Sequence, residues 1–599
     1  MNIQRLTVIL LLLLNTMIVF SQSKLSPEQR IDTLFSKYNS DIPGVSVAVV
    51  KNGEIVFKKG YGMANLEYEI PITPQTIFHI ASVSKQFTAF AIYLLQREGK
   101  ISLEDDIRKY IPEVPVFEKP ITIKHLCYHT SGLKDQWALL TLAGWRMDDV
   151  ITTEHILKLV SQQKELNFPT GTQFKYSNTG YTLLAEIVRR VSGQTFAEFT
   201  AKNIFQPLGM KSTQFYDDYE KVIKNRAYSY ALENGNYKKK KLNYSNVGAT
   251  SLFTTVEDLA KWTKNFENPI VGDVELIETF NEPAKLDNGN PAILTISDGE
   301  NVYHAKGQFF KNYRGLMLYN HTGRDAGFRA YLVRFPEKKF SVIVLSNESD
   351  FDSFWKGLAI AEFYLKDDLK KIKANNLKHN EDKTPIEKYS NNLSDFEGKY
   401  YNEELSTNYK LKINEEKLIM THSKLSDIEL TEIGKDKFSG TIWFNVKLEF
   451  LRNIENEVIG FNISNFGAEN VKFERIDPSH NDKITIGSRI EKLVQQQLQS
   501  YNSRDIDAFL EPYGENVEVY NFPNNISGKG KNYMKTNYKR LFSDSPSLHC
   551  EVINRMVLGN IVIDHEKITG LRGMNTIEAI AIYEIENDKI IKVYFIKKE

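Results

Sequence analysis

Cysteine is nearly absent: Cys127 and Cys550 are the two thiols in 599 residues, far apart in sequence. They indicate no disulfide framework. Glycine (33) and proline (18) are too few for a collagenous or low-complexity chain. Neither charge is in excess, since Lys+Arg 76 equals Asp+Glu 76. The basic surplus that drives nonspecific nucleic-acid binding is therefore missing, and no nucleic-acid partner is expected. Long apolar runs are missing too, apart from Leu6 to Phe20 behind Arg5. About fifteen residues are short for a membrane span, and Val19 and Ser21 before Gln22 suit a signal-peptidase site. Residues 1–21 are accordingly read as a signal peptide, with no cysteine at its end to take a lipid. The expectation is a periplasmic or secreted protein without a stable membrane span once the signal is cleaved.

What is present is enough chain for several cores, at roughly 150 residues per domain. Residues 22–368 mix strand and helix periods. Val45 to Val50 and Ile55 to Phe57 flank Asn52-Gly53, a hairpin signal. Val83 to Arg97 reads as a helix that is apolar nearly all round and stops at Gly99. Residues 369–392 are hydrophilic and read as a linker. Between 393 and 477 short alternating runs such as Tyr409, Leu411, Ile413 predict a small all-β barrel or sandwich. From 483 to 599 a helical stripe (Ile490, Leu493, Val494, Leu498, Tyr501) precedes strands at Val517 to Phe522, Thr576 to Ile585 and Ile590 to Ile596. The fold class expected is multidomain α/β of the α+β kind. The segments Gln136 to Asp149 and Asn268 to Glu300 are read as loops, and few contacts are expected to cross the linker.

Three short elements can carry chemistry. Ser82-Val83-Ser84-Lys85 puts a hydroxyl and an amine at i and i+3 on one helix face, within hydrogen-bond reach. A desolvated lysine there becomes a better proton acceptor. Ser-x-x-Lys also occurs at Ser21, Ser131, Ser161 and Ser353, so the tetrad alone decides nothing. Tyr176-Ser177-Asn178 lies in a polar loop before the helical Leu183 to Val191, and Tyr-x-Asn recurs at Tyr244, Tyr389 and Tyr400. His321-Thr322-Gly323-Arg324 occurs once, just before the strand-like Ala330 to Phe335, and Gly323 would let a substrate backbone come close. His125 and His129 at i and i+4 do not make a zincin motif because position 126 is Leu. No serine sits in Gly-x-Ser-x-Gly. No metal or cofactor is expected.

Taken in order, Ser-x-x-Lys, Tyr-x-Asn and His-Thr-Gly resemble the serine β-lactamase and penicillin-binding superfamily, in the branch with class C β-lactamases, D-alanyl-D-alanine carboxypeptidases, D-aminopeptidases and related esterases. The runs Phe78 to Phe87, Gly99 to Asp105, His129 to Leu133 and Glu257 to Trp262 resemble blocks of the same family. The resemblance implies an antiparallel sheet with a helical subdomain and an acyl-enzyme at Ser82. It implies that Lys85 and Tyr176 share the base and acid work and that Asn178 holds the substrate amide. It also implies an oxyanion hole from the Ser82 and Arg324 backbone N–H groups, with His321 and Thr322 flanking the substrate carbonyl or carboxylate. Lysine is common where this chain has His321, which ranks β-lactams below esters and D-amino-acid peptides. The substrate expected is a small molecule or cell-envelope peptide, and the rival reading is a catalytically weak penicillin-binding-like receptor or ligand-binding protein whose C-terminal modules carry the function. The last segment resembles the α+β cone of the NTF2/SnoaL-like fold, through Gln495 to Phe522 and the strand pair ending at Ile596. In such a fold a helix-covered curved sheet encloses a pocket, onto which no acid–base set maps: Asp564, His565 and Glu566 read equally well as ordinary strand-end residues, and a ligand or dimer role is expected from the fold alone.

Overall fold

The computed structural model describes residues 25–295, 301–370, 391–476, 489–558, 560–573 and 576–597. Residues 1–21, read above as a signal peptide, and most of the segment 369–392, read as a linker, lie outside these residues. The chain forms two compact units that divide between Arg475 and Ile476.

In the first unit Asn52 and Gly53 both take positive φ (54° and 74°), the geometry of the two-residue hairpin their sequence signals. They join β1 (Val45–Lys51) to β2 (Glu54–Tyr61). Six further strands complete an antiparallel sheet: β3 (Ile293–Thr295), β4 (Asn301–Ala305), β5 (Gln308–Tyr313), β6 (Leu316–Asp325), β7 (Phe328–Phe335) and β8 (Phe340–Ser346). The order is β3-β4-β5-β6-β7-β8-β1-β2, so β1 closes against β8 across the sequence, with Val47 opposite Val344. Because β1 and β8 are covered on both faces, their residues are buried almost without a break rather than alternately, and all but Ser46, Lys51, Ser341 and Ser346 are apolar. Val47, Val49, Val342 and Val344 pack with the helices Pro27–Leu34 and Ser353–Leu365, whereas Ala48, Val50, Ile343 and Leu345 join the larger core of the helical side.

That side is built on α1 (Lys85–Arg97), entered through a 3-10 turn over Ala81–Ser84. Every residue from Lys85 to Tyr93 is buried, with Phe87 and Phe90 against Trp262 at ring-centre distances of 4.4 and 5.1 Å. Fully burying a side chain of that size stabilises by about 1.5–3 kcal/mol, which offsets the cost of also burying Lys85. The segment read as a loop from Gln136 is instead α2 (Gln136–Leu142), because Asp135 caps it by accepting from the Trp137 and Ala138 N–H groups and its apolar side chains are all buried. The segment after Asn268 likewise holds a helix, Val274–Asn281, and β3, while 296–300 lie outside the described residues. α3 (Asn178–Ser192) packs on α1 and ends at Gly193 with φ 70°.

Eight strands, from Gly398–Asn402 to Val471–Ile476, close into a barrel. Alternation sends Tyr409 and Leu411 inward and Asn408 and Lys410 outward, around Phe438, Phe450, Phe461 and Phe473. The expectation of few contacts with the preceding domain is corrected here. Ala138, Leu139, Leu142 and Ala143 of α2 belong to the same apolar cluster as the barrel interior. The Gly467 carbonyl accepts from the Asp135 N–H (2.8 Å) and the Asn167 side chain (2.9 Å), and the Tyr409 hydroxyl donates to the Leu142 carbonyl (3.1 Å). A polar linker says how a chain leaves a domain, but apolar patches on both sides decide whether it packs back.

The second unit is a sheet of six strands: β9 (Tyr513–Asn521), β10 (Asn525–Lys529), β11 (His549–Leu558), β12 (Ile561–Thr569), β13 (Ile577–Glu586) and β14 (Lys589–Lys597). Their order is β10-β9-β14-β13-β12-β11, with β9 and β14 parallel. α4 (Arg489–Ser503), α5 (Ile506–Leu510) and α6 (Lys531–Asp544) supply Val494, Leu498, Phe509 and Phe542 to its core. Asp564 and Glu566 are not strand-end residues: they lie in the middle of β12 and are 1% and 4% exposed.

Candidate active site

Ser82 sits in the 3-10 turn, one residue after Ala81, whose φ of +48° is uncommon for a residue with a Cβ. The strain is held by neighbours. The Ala81 N–H donates to His79 Nδ1 (3.2 Å), and the His79 Nε2 faces the Thr250 hydroxyl at 3.3 Å. His79 is fully buried and its pKa falls to about 3 through desolvation, so the ring is neutral. From the other side β6 closes on the turn at Gly323, where a Cβ would stand 2.2 Å from the Ile80 carbonyl oxygen. The sequence assigns this glycine to substrate approach. Its bare α-carbon instead lets the sheet reach the backbone that carries the nucleophile.

Lys85 Nζ lies 3.1 Å from Ser82 Oγ, 2.8 Å from Asn178 Oδ1 and 2.7 Å from the Ala249 carbonyl. Desolvation lowers the Lys85 pKa to about 7, against the opposing pull of the Asp325 and Asp135 carboxyls. When the amine is neutral it keeps two N–H bonds and one lone pair. Asn178 Oδ1 and the Ala249 carbonyl can only accept, so both hydrogens are committed to them and the lone pair faces Ser82 Oγ. The Asn178 amide is itself fixed, because the Asp135 carboxylate accepts from its Nδ2 (2.8 Å) and its backbone N–H (2.6 Å). Sequence reasoning missed Asp135. An Asp before an apolar helical run signals a cap, and nothing local shows that its second oxygen reaches another helix.

Tyr176 precedes the N-cap of α3 and is wedged between Lys85, whose Nζ lies 4.9 Å from the ring centre, and His129, at 4.5 Å between ring centres. Its hydroxyl is buried, and its pKa rises far above the ordinary value because of desolvation, partly opposed by the Ser82 hydroxyl. His129 Nδ1 accepts from the Ser177 N–H (3.1 Å), tying down the turn between Tyr176 and Asn178. His129 was not singled out as a site residue, although its run His129-Thr130-Ser131-Gly132-Leu133 was.

His321 is 3% exposed, with its ring centre 6.1 Å from that of Tyr176 and its Nδ1 donating to the Thr322 carbonyl (2.6 Å). Desolvation and Lys85 lower its pKa to about 3, so it carries no charge at neutral pH. Thr322 is exposed on β6. The groove over Ser82 has a volume of about 490 Å³, and neither His321 nor Thr322 lines it. Its cations are Arg324, which is exposed, and Arg329, while Asp325 has its carboxyl pushed up to about 6 by burial. Trp137 and Tyr244 form one apolar wall, their rings 4.8 Å apart. Further apolar lining comes from two barrel loops: Trp443 and Phe444, and Phe466, which meets Phe444 at 4.4 Å. Sequence reading gave the β domain no motif, and these aromatics carry none.

A hydroxyl beside a desolvated amine, a buried phenol and an amide at the mouth of a groove is the equipment of acyl transfer. Comparison with known proteins agrees. The β-lactamase family model matches residues 31–363, and the SnoaL-like domain model matches residues 494–593. Protein flp of Staphylococcus aureus (strain MRSA252) is 30% identical over 331 residues, which are 53% of this chain and 63% of that protein. A D-aminopeptidase of Gluconobacter oxydans is 27% identical over 51% of this chain and 56% of its own length. The chain therefore spans less than two thirds of the curated relatives it matches. The octameric penicillin-binding protein homologue from Pyrococcus abyssi shares the fold, with a TM-score of 0.51 and 24% identity over 74% of this chain and 99% of that one. With more than half of its length matched by one family model, the chain belongs to the β-lactamase family of serine hydrolases and carries a SnoaL-like domain besides.

Proposed function

We propose that the protein is an exported hydrolase that forms an acyl-enzyme at Ser82 on esters or on D-amino-acid peptides and amides, with β-lactams ranked below. The observation that carries this reading is the Lys85 amine, 3.1 Å from Ser82 Oγ and with its other hydrogens committed to two acceptors. Lys85 takes the Ser82 proton as Oγ attacks the carbonyl carbon. The proton then passes to the leaving alcohol or amine through Lys85 or the Tyr176 hydroxyl, and water releases the acyl group by the reverse path. The groove favours a compact acyl donor with an apolar group against Trp443, Phe444 and Phe466 and an oxygen or carboxylate toward Arg324. The resemblance to a D-aminopeptidase supports the D-peptide arm. Export rests on the signal-like residues 1–21.

The test is intact-mass measurement after exposure to a fluorophosphonate, a penicillin and a panel of short esters and D-aminoacyl amides, on wild type and Ser82→Ala. One adduct per chain is expected on the wild type, and none on the variant. Removing the Ser82 hydroxyl should leave the fold intact, because Oγ lines the groove and Lys85 keeps its hydrogen bonds to Asn178 and Ala249 without it. Turnover that survives in Ser82→Ala would assign the nucleophile elsewhere, and no adduct from any probe would favour the receptor reading.

A further inference from the structure

The SnoaL-like unit encloses a cavity of about 300 Å³ between α4, α6 and the sheet, wholly within that unit. At the roughly 30 Å³ that a water occupies in the liquid, it has room for about ten non-hydrogen atoms. Leu498, Leu541, Ile568 and Leu571 make it largely apolar, and Tyr501, Tyr538, Tyr583 and Phe595 place four aromatic rings in its walls. Among the described residues no lysine, arginine or histidine lines it. The one acidic side chain among its described lining residues is Glu566, 4% exposed, with Oε1 accepting from the Tyr583 hydroxyl at 3.1 Å.

The charges around Glu566 compensate it only in part, because Asp564 beside it raises its pKa more than Arg555 lowers it. Arg555 is the cation on the adjoining strand, and it is spent on Asp564: Nε and Nη2 each donate to that carboxylate at 2.6 Å, and Nη1 goes to Gln495. Otherwise Glu566 faces the Cys550 thiol and the phenols of Tyr501, Tyr513, Tyr538 and Tyr583. A second polar group points to the same need. Gln497 of α4 lines the cavity, is 6% exposed, and its Oε1 is buried without a donor among the described residues. An acidic group without a cation of its own and an acceptor without a donor, set among aromatic faces, both call for a ligand that brings hydrogen-bond donors and positive charge.

We propose that this cavity binds a small organic ammonium ion of about ten non-hydrogen atoms in all, mostly apolar, held by Glu566, the Gln497 amide and the tyrosine faces. The catalytic groove has no part in this site, so the proposal stands or falls separately from the hydrolase reading. Burial raises the Glu566 pKa to about 7, so the empty cavity holds the neutral acid below neutral pH and the bound ammonium draws the proton off.

The test uses the full chain and three probes of one shape: 2-phenylethylamine, 2-phenylethanol and phenylacetate, titrated calorimetrically at pH 5.5 and 8. At pH 8 the amine should bind at least about tenfold more tightly than the alcohol, and phenylacetate should be the weakest. The amine should lose about tenfold or more on going to pH 5.5, as the carboxylate it pairs with takes up a proton. In Glu566→Gln, with near-UV circular dichroism unchanged, amine and alcohol should bind alike, and Gln497→Leu should lower amine affinity several-fold. An alcohol that equals the amine in the wild type overturns the proposal without recourse to any variant. So does phenylacetate binding best at either pH, amine affinity unchanged in Glu566→Gln, or no binding by any probe at millimolar concentration.

Discussion

Ser82 has two groups near enough to take its proton, and their ionisation separates their duties. Lys85 releases its proton at about 7, whereas the Tyr176 phenol holds its own far above the physiological range. On the proposed mechanism the resting amine is therefore the base, and the phenol is a donor toward the leaving group or a relay. Since the base must be unprotonated, kcat/KM for a neutral ester should rise with pH and level off above about 7. A profile flat from pH 5 to 9 would remove Lys85 as the titrating base. Asp135 acts one step back, as a positioning residue: it orients Asn178, and its negative charge holds the Lys85 pKa up. Asp135→Asn should lower kcat by roughly tenfold to a hundredfold, a fraction of the 10²–10⁴ that general-base catalysis supplies, with KM little changed. The same change should move the pH inflexion downward, because a carboxylate that stabilised the ammonium is gone. A purely structural role for Asp135 would lower the folded fraction and leave that inflexion in place.

At the scale of elements, the site depends on how closely β6 meets the 3-10 turn. A methyl group at position 323 would stand 2.2 Å from the Ile80 carbonyl oxygen, and both sides of that contact are backbone that no rotamer change can relieve. Gly323→Ala should therefore push the strand from the turn and slow fluorophosphonate labelling of Ser82 by about a hundredfold or more, the penalty expected for an ångström of misplacement. Labelling at the wild-type rate in a folded Gly323→Ala protein would show that the turn keeps its geometry without the strand. Much of this level was legible in the sequence. Asn52-Gly53 marked its hairpin, the all-round apolar run after Phe87 marked a buried helix, and alternation at Tyr409 and Leu411 marked the β domain. Long-range side-chain meetings were not legible. Nothing near Asp135 encodes Asn178, nothing near His321 says that its ring lies behind Tyr176, and Glu566 has no neighbour in sequence that announces a cavity. Local patterns fix periods and turns, whereas such contacts exist only once the sheet and helices have met.

For the hydrolase domain and barrel taken together, the consequence concerns truncation. The hydrophilic segment after Lys366 suggests that a chain ending near Lys373 would fold and cleave small esters unaided. The structure argues otherwise, because the barrel touches the same short helix that serves the site. Removing it would bare Ala138, Leu139, Leu142 and Ala143, take the Gly467 carbonyl from the Asp135 N–H, and open the groove where Trp443, Phe444 and Phe466 close it. Asp135 is the residue that aligns Asn178 with Lys85, so the damage should reach chemistry as well as substrate size. A chain ending after Lys370 should melt below the full-length protein and should lose kcat even toward an acetyl ester, with a larger loss in kcat/KM for esters that have aromatic acyl groups. Phe466→Ala separates the two effects, since Phe466 is 47% exposed and its truncation should cost little stability. That variant should lose selectivity for the aromatic ester while keeping acetyl-ester turnover. If the truncated chain instead retains the melting temperature and acetyl-ester kcat of the full-length protein, the barrel is an accessory that the site does not need, and the coupling through Asp135 is wrong.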